Sequence, residues 1–226
     1  MNYMLFCFFN KDVSMDIINL FPVPLGVNYF REVTSNELEA LKSFEMTANG
    51  NASDGGNNTR SIDQYILEDE RLSSIKDFLE ASVKEYMDKT LCPAPEMSHY
   101  ITQCWVNSNG IGEHHHFHDH MNSIMSGVYY VDVEEDKDSL TFIRGITDMP
   151  MMGHQLLPDI VTYTPYNCPE LNMPVKNGML IMFPSNTTHG VHPVEGRTKA
   201  RISVAFNTYV RGLVSKGGAS MNPIFI

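Results

Sequence analysis

Basic residues are scarce in this chain of 226 residues: 16 Lys and Arg stand against 27 Asp and Glu, for a formal net charge of −11. That balance excludes the clustered cationic surface on which general nucleic-acid binding depends, and it argues equally against an anionic membrane surface. Cysteine is sparse as well. Cys7, Cys92, Cys104 and Cys168 show neither CxxC spacing nor a small-domain disulfide framework, and Cys104 reads as a buried free thiol on a strand. Long apolar runs are missing. The opening Met1 to Phe9 is short, has no basic stretch before it and no small-residue cleavage site after it, and is broken by Asn10-Lys11-Asp12. Neither a signal peptide nor a membrane span is expected from it, and a cytoplasmic location follows. Residues 1–15 read as a dispensable extension and 16–226 as a single domain, with no internal repeat.

What is present divides into helices followed by strands. Thr34-Ser35-Asn36-Glu37 has the form of a capping box, with Leu38, Leu41 and Phe44 behind it at helical spacing. Ile75, Phe78, Leu79, Val83, Tyr86 and Met87 form one apolar stripe, with Ser73 or Ser74 as the expected cap. Between them, residues 47–61 are rich in Asn, Gly and Ser and read as a loop. From residue 99 the texture becomes β-prone: Tyr100–Asn107, Ser123–Val133, Leu140–Ile143, Ile160–Thr164, Met179–Phe183 and Arg201–Val210. Turn residues separate these runs at Asp136–Asp138, Pro165–Pro174, Asn177-Gly178 and Glu195-Gly196. The pattern predicts a mainly β protein with N-terminal helices, a double-stranded β-helix (jelly roll) braced by two or more helices.

The densest chemistry is Glu113-His114-His115-His116-Phe117-His118-Asp119-His120, which holds five of the nine histidines. Neutral imidazole is the commonest protein ligand for Fe, Zn, Cu and Ni. On a strand, residues i and i+2 share a face, so His118 and His120 can point together, with His189 from a later strand as a third ligand. His116 and His118 satisfy the same spacing. Further on, Arg201, Ser203, Ala205 and Asn207 share one strand face while Ile202, Val204 and Phe206 share the other. A cation inside a β-prone run needs an anion, either a ligand carboxylate or one of the chain's own acids.

Trp105-Val-Asn107, His118-Asp-His120, Ser126-Gly-Val-Tyr-Tyr-Val131, Phe183-Pro-Ser185, His189-Gly-Val191, Arg201-Ile-Ser203 and Phe206-Asn207 run in a telling order. With the opening Leu20-Phe-Pro-Val-Pro24, they resemble the 2-oxoglutarate and Fe(II)-dependent oxygenases of the bacterial and phage group related to prolyl hydroxylases, over roughly residues 16–210. The resemblance implies Fe(II), 2-oxoglutarate and O2 as cofactors and hydroxylation of an unactivated C–H bond. It implies His118 and His189 as iron ligands, with His120 where the family usually carries a carboxylate. It further implies Arg201, Ser203 and Tyr130 (or Tyr129) at the distal carboxylate of 2-oxoglutarate, and Asn107 at the cosubstrate's other end. A small-molecule or peptide substrate is expected, without nucleic acid, in a homodimer. Two alternatives stay open: a cupin-like three-His metalloenzyme independent of 2-oxoglutarate, and a non-catalytic barrel binding a metal or ligand.

Overall fold

A computed structural model describes residues 15–49, 57–145, 159–214 and 224–225. The expected extension at residues 1–15, apart from Met15, the centre of the 47–61 loop, and His154 lie outside those residues.

The capping box forms as its residues require. The Glu37 backbone N–H donates to Thr34 Oγ1 (3.3 Å), Glu37 Oε2 accepts from the Thr34 backbone N–H (2.7 Å), and α1 (Ser35–Ser43) begins there. Both terminal nitrogens of Arg31 close on the same carboxylate at 2.7 Å. The Arg31 hydrogen bonds hold Glu37 down to about 2, against an ordinary value of 4.5. A folded-state value below the unfolded one means that the carboxylate stabilises the fold above about pH 4.5, and that this contribution is lost as pH falls towards 2. Glu37→Gln is expected to lower the unfolding free energy at neutral pH by about 1–2 kcal/mol. The loss should shrink near pH 3, which denaturant titrations at the two pH values check.

The second helix, α2 (Ser73–Thr90), starts on Ser73 itself, with Leu72 at the cap position and no side-chain cap, contrary to the expected serine cap. The reason lies upstream. Two 3-10 turns, Ile66–Glu68 and Glu70–Leu72, lead into the helix, and the Ser73 N–H is already bonded to the Glu70 carbonyl. The apolar stripe is buried as expected. Ile75, Leu79, Val83 and Met87 pack with Cys104, Val106, Tyr129, Leu180, Val204 and Phe206 of the sheet below. Cys104 is a free, buried thiol whose ionisation burial disfavours.

The strands, in chain order, are β1 (Gly26–Tyr29), β2 (Met46–Ala48), β3 (Thr59–Ser61), β4 (Ser98–Asn109), β5 (His115–His118), β6 (Met125–Asp132), β7 (Ser139–Ile143), β8 (Glu170–Pro174), β9 (Met179–Pro184), β10 (His189–Val191) and β11 (Arg201–Arg211). A short hairpin of β12 (Leu213–Val214) and β13 (Ile224–Phe225) follows. They form a major antiparallel sheet, β1-β9-β6-β11-β4-β3-β2, and a minor one, β5-β10-β7-β8. Strand alternation gives the major sheet two buried faces. One meets the helices; the other sends Val128, Tyr130, Ile181, Phe183 and Ala205 towards Leu140 and Phe142 of β7 in a second core. Two facing antiparallel sheets braced by helices make the jelly roll that the sequence pattern predicts. Among the described residues, no helix is long and apolar enough to cross a membrane.

Two expectations fail in the minor sheet. Ile160–Thr164 forms no strand, and Val161 is 97% exposed. The segment Pro165–Pro174, read as a turn, instead contributes β8, paired antiparallel with β7 from Ser139↔Pro174 to Ile143↔Glu170. As the outer strand of its sheet, β8 has one neighbour only, a position that tolerates proline.

Candidate metal and cosubstrate site

The three expected ligands come together. Pairing of β10 with β5 sets His189 directly opposite His118, and Ser185 anchors His120, whose backbone N–H donates to the Ser185 carbonyl (2.9 Å). His120 lies beyond the end of β5 rather than on it, so this bond, and not strand alternation, sets its place. One ring nitrogen from each of His118, His120 and His189 lies within 4.8 Å of the others. Two of the rings are oriented through their far nitrogens. His118 Nδ1 donates to the His116 carbonyl (2.8 Å) and His189 Nδ1 donates to the Thr187 carbonyl (2.9 Å), leaving each Nε2 with its lone pair. Burial holds His189 down to about 3 and His120 to about 4, and lowers His118 as well. All three are therefore neutral at physiological pH, the form a metal requires.

The alternative register through His116 meets a different fate. Between the pairs His189↔His118 and Val191↔His115, β5 spends one residue more than β10, a bulge. His115 therefore lines the cavity together with His118, while His116 is exposed. His115, His116 and His118 also lie within metal-binding reach of one another. Two of them are already occupied, however: Asn49 Nδ2 bonds His115 Nε2 (2.9 Å) and Asn57 Nδ2 bonds His116 Nδ1 (3.2 Å). In the triad with His189, the Nε2 lone pairs of His118 and His189 are left over for a metal.

Gly190 keeps the two ligand strands close. A Cβ there would stand 2.8 Å from the Phe117 ring and 2.9 Å from the His115 carbonyl oxygen, which is backbone. Gly190→Ala is expected to push β5 away from β10, separating His118 from His189 and weakening metal binding by about tenfold or more. Titration with Co(II), followed by its ligand-field spectrum, measures this.

The triad opens onto a cavity between the sheets lined by Trp105, Asn107, Asn109, His115, Arg201 and Ser203, with Val128, Leu140, Phe183 and Ala205 as apolar wall. Among the described residues, no Asp or Glu lines it. Arg201 is buried with its Nε and Nη1 lacking any hydrogen-bond partner, and no carboxylate among the described residues pairs with it. Its guanidinium lies 5.1 Å from the centre of the Tyr130 ring, and Tyr130 Oη and Asn109 Nδ2 are equally without partners. Burial pushes the Tyr130 phenol up to about 12, so it remains a donor. Its neighbour Tyr129 faces the helices and donates to the Arg31 carbonyl (2.9 Å), which removes it from the cavity. Asn107 lines the cavity, and its Oδ1 accepts from Asn58 Nδ2 (3.3 Å). Sequence reasoning missed Asn109, two residues further along the same strand face, and His115, whose direction depends on the bulge.

Orphaned buried donors around a cation are matched to a carboxylate, and three neutral imidazoles are matched to a divalent metal. Together in one jelly-roll cavity they form a candidate site for a divalent metal and an anionic ligand. Residues 103–207, which span every residue lining the cavity, match the family model described as "Putative 2OG-Fe(II) oxygenase". Over residues 103–207 the resemblance read from the sequence is borne out, and the description of the family matched names Fe(II) and 2-oxoglutarate. Among curated proteins, none matches the chain by sequence. Solved structures share the fold at low identity. A prolyl-4-hydroxylase from Pseudomonas putida is 13% identical, covers 83% of this chain and 94% of its own, and has a TM-score of 0.52. An oxidoreductase of the 2OG-Fe(II) oxygenase family from Burkholderia pseudomallei is 13% identical over 77% of each chain, with a TM-score of 0.52. The non-heme alpha ketoglutarate dependent carbocyclase SnoK from nogalamycin biosynthesis is 11% identical over 82% of this chain and 79% of its own, with a TM-score of 0.54.

Proposed function

We propose that this protein is a 2-oxoglutarate-dependent dioxygenase that hydroxylates an unactivated C–H bond of a small-molecule or peptide substrate. The observation that carries the reading is Arg201: a buried guanidinium with unpartnered nitrogens, in the cavity onto which the three histidines open. His118, His120 and His189 would hold the iron. Arg201, Tyr130 and Ser203 would hold the distal carboxylate of 2-oxoglutarate, and Asn107 would serve its other end. When bound, the iron and cosubstrate supply the oxidation: O2 and 2-oxoglutarate give succinate, CO2 and one hydroxyl on the substrate carbon.

The chain's own part is placement and exclusion. The carbonyls of His116 and Thr187 fix two imidazoles with Nε2 unprotonated, so no proton must leave before a metal enters. The guanidinium and phenol stand ready with unmet donors, so a carboxylate arriving there displaces no protein partner. Val128, Leu140, Phe183 and Ala205 keep the wall apolar and limit water around the reacting centre.

Fe(II) added to anaerobic protein with 2-oxoglutarate should develop the weak visible charge-transfer band of their chelate. On admission of oxygen, 2-oxoglutarate should be converted to succinate. The presence of His120 in place of a carboxylate favours a second reading, a three-His metalloenzyme that does not use 2-oxoglutarate. Iron binding without the band would establish it in place of the first.

A further inference from the structure

His115 faces the cavity by virtue of the β5 bulge, yet neither the metal triad nor the Arg201 cluster includes it. Its ring stacks on His118, with centroids 4.6 Å apart and planes at 30°. It lines the same cavity as His118, His189 and Arg201. A group spanning from the triad to Arg201 therefore shares that cavity with its ring.

The proton on this imidazole is fixed by a ladder of asparagines. Asn58 is fully buried, and its Nδ2 faces two acceptors, the Thr59 carbonyl (3.4 Å) and Asn107 Oδ1 (3.3 Å). The carbonyl settles which end of the Asn58 amide is nitrogen. Asn58 Oδ1 is then an acceptor, and it receives Asn49 Nδ2 (3.2 Å). The same Asn49 nitrogen lies 2.9 Å from His115 Nε2. An amide nitrogen only donates, so Nε2 of His115 carries the lone pair and Nδ1 carries the hydrogen. By the same polarity Asn107, with its oxygen taken by Asn58, keeps its amide nitrogen as donor. The two rungs end on one cavity as two donors.

We propose that His115 donates a hydrogen bond from Nδ1 to the cosubstrate, and that Asn49 and Asn58 are positioning residues that hold His115 and Asn107 in donor orientation. The proposal rests on the reading of the cavity as a 2-oxoglutarate site. Asn49 and Asn58 themselves, both read in the sequence as loop residues, thereby support the cosubstrate wall.

The chain's single tryptophan, Trp105, lines this cavity with its ring 6.1 Å from His120 and reports binding by fluorescence. With Zn(II) in place of iron, 2-oxoglutarate is titrated into the wild type and into His115→Leu, His115→Gln, Asn58→Leu and Arg201→Met. The expected result is about tenfold weaker 2-oxoglutarate binding in His115→Leu, the effect of one charge-assisted hydrogen bond. His115→Gln, which restores an N–H donor, should recover part of it. Asn58→Leu should weaken binding in the same direction. Zn(II) affinity without 2-oxoglutarate should be unchanged in His115→Leu, and its loss there would make His115 a ligand and overturn the proposal. Imidazole nitrogen shifts, assigned with His115→Gln, should show the Nδ1–H form in the wild type; the Nε2–H form would also overturn it. Wild-type affinity in His115→Leu, with binding lost in Arg201→Met, sinks the proposal and leaves the cavity reading standing. Absence of metal-dependent 2-oxoglutarate binding in the wild type sinks the cavity reading itself.

Discussion

Arg201→Met should weaken 2-oxoglutarate binding by about a thousandfold, the effect of truncating one partner of a buried charge pair, while metal affinity changes little. The same substitution should raise, not lower, the thermal stability of the ligand-free protein. In the free cavity the guanidinium is buried, two of its nitrogens meet no acceptor, and no carboxylate among the described residues lies against it. A desolvated, unpaired cation costs free energy in the folded state, and an apolar side chain of similar length removes that cost, by about 1 kcal/mol or more. An arginine kept for structure gives the opposite sign. Arg197 is such a case in this chain, fully buried against Asp138 and bonded to the Gly110 carbonyl. Melting curves of both proteins, with and without 2-oxoglutarate and Zn(II), separate the two. The wild type should gain stability from the ligands and Arg201→Met should gain it from the metal alone. A lower melting temperature in ligand-free Arg201→Met would show that Arg201 has a protein partner and no vacancy for a cosubstrate.

The second large effect is expected at His120. Among the described residues no Asp or Glu lines the cavity, and the exposed Asp119 beside the triad is not part of the lining. A divalent metal on three neutral imidazoles near Arg201 would bring together positive charge that an incoming anion offsets more directly than the exposed Asp119. Metal and 2-oxoglutarate should therefore bind with strong mutual reinforcement, and by linkage each should tighten the other by the same factor. His120→Asp supplies one negative charge at the metal. It is expected to tighten metal binding in the absence of 2-oxoglutarate by about tenfold or more, and to reduce the factor by which the two ligands reinforce each other. The four affinities of the cycle, metal with and without 2-oxoglutarate in each protein, measure this directly. Equal reinforcement in the two proteins would mean that His120 does not face the metal.

Much of this architecture is local and so can be read from the chain. The Thr34–Glu37 box, the stripe from Ile75 to Met87 and the alternation in β4, β6, β9 and β11 are short-range patterns, and each forms where its residues place it. The inward set Arg201, Ser203 and Ala205 follows from alternation alone. Features that depend on a partner strand are less legible. β8 looks like a turn because Pro169 just before it and Pro174 at its end carry no pairing signal, and only its edge position beside β7 makes it a strand. The direction of His115 requires the bulge, which exists because β10 advances two residues between its paired positions where β5 advances three. Asn49 and Asn58 look like loop composition until Asn107 is brought beside them. Tyr129 and Tyr130 are indistinguishable as letters, and the register of β6 sends one to the helices and the other to Arg201.

The pairing of His118 with His189 also has a mechanical side. β5 is four residues long, the outermost strand of the minor sheet, and β10 is its only neighbour there. An edge strand so short is the natural place for the sheet to fray. A metal held from both strands would clip that edge shut across a long stretch of intervening chain, so loading and local order should rise and fall together. Amide hydrogen exchange in β5 would then respond to chelators ahead of exchange in the helix-backed core, and the first region to open when the ion leaves would be the one that must open to admit it.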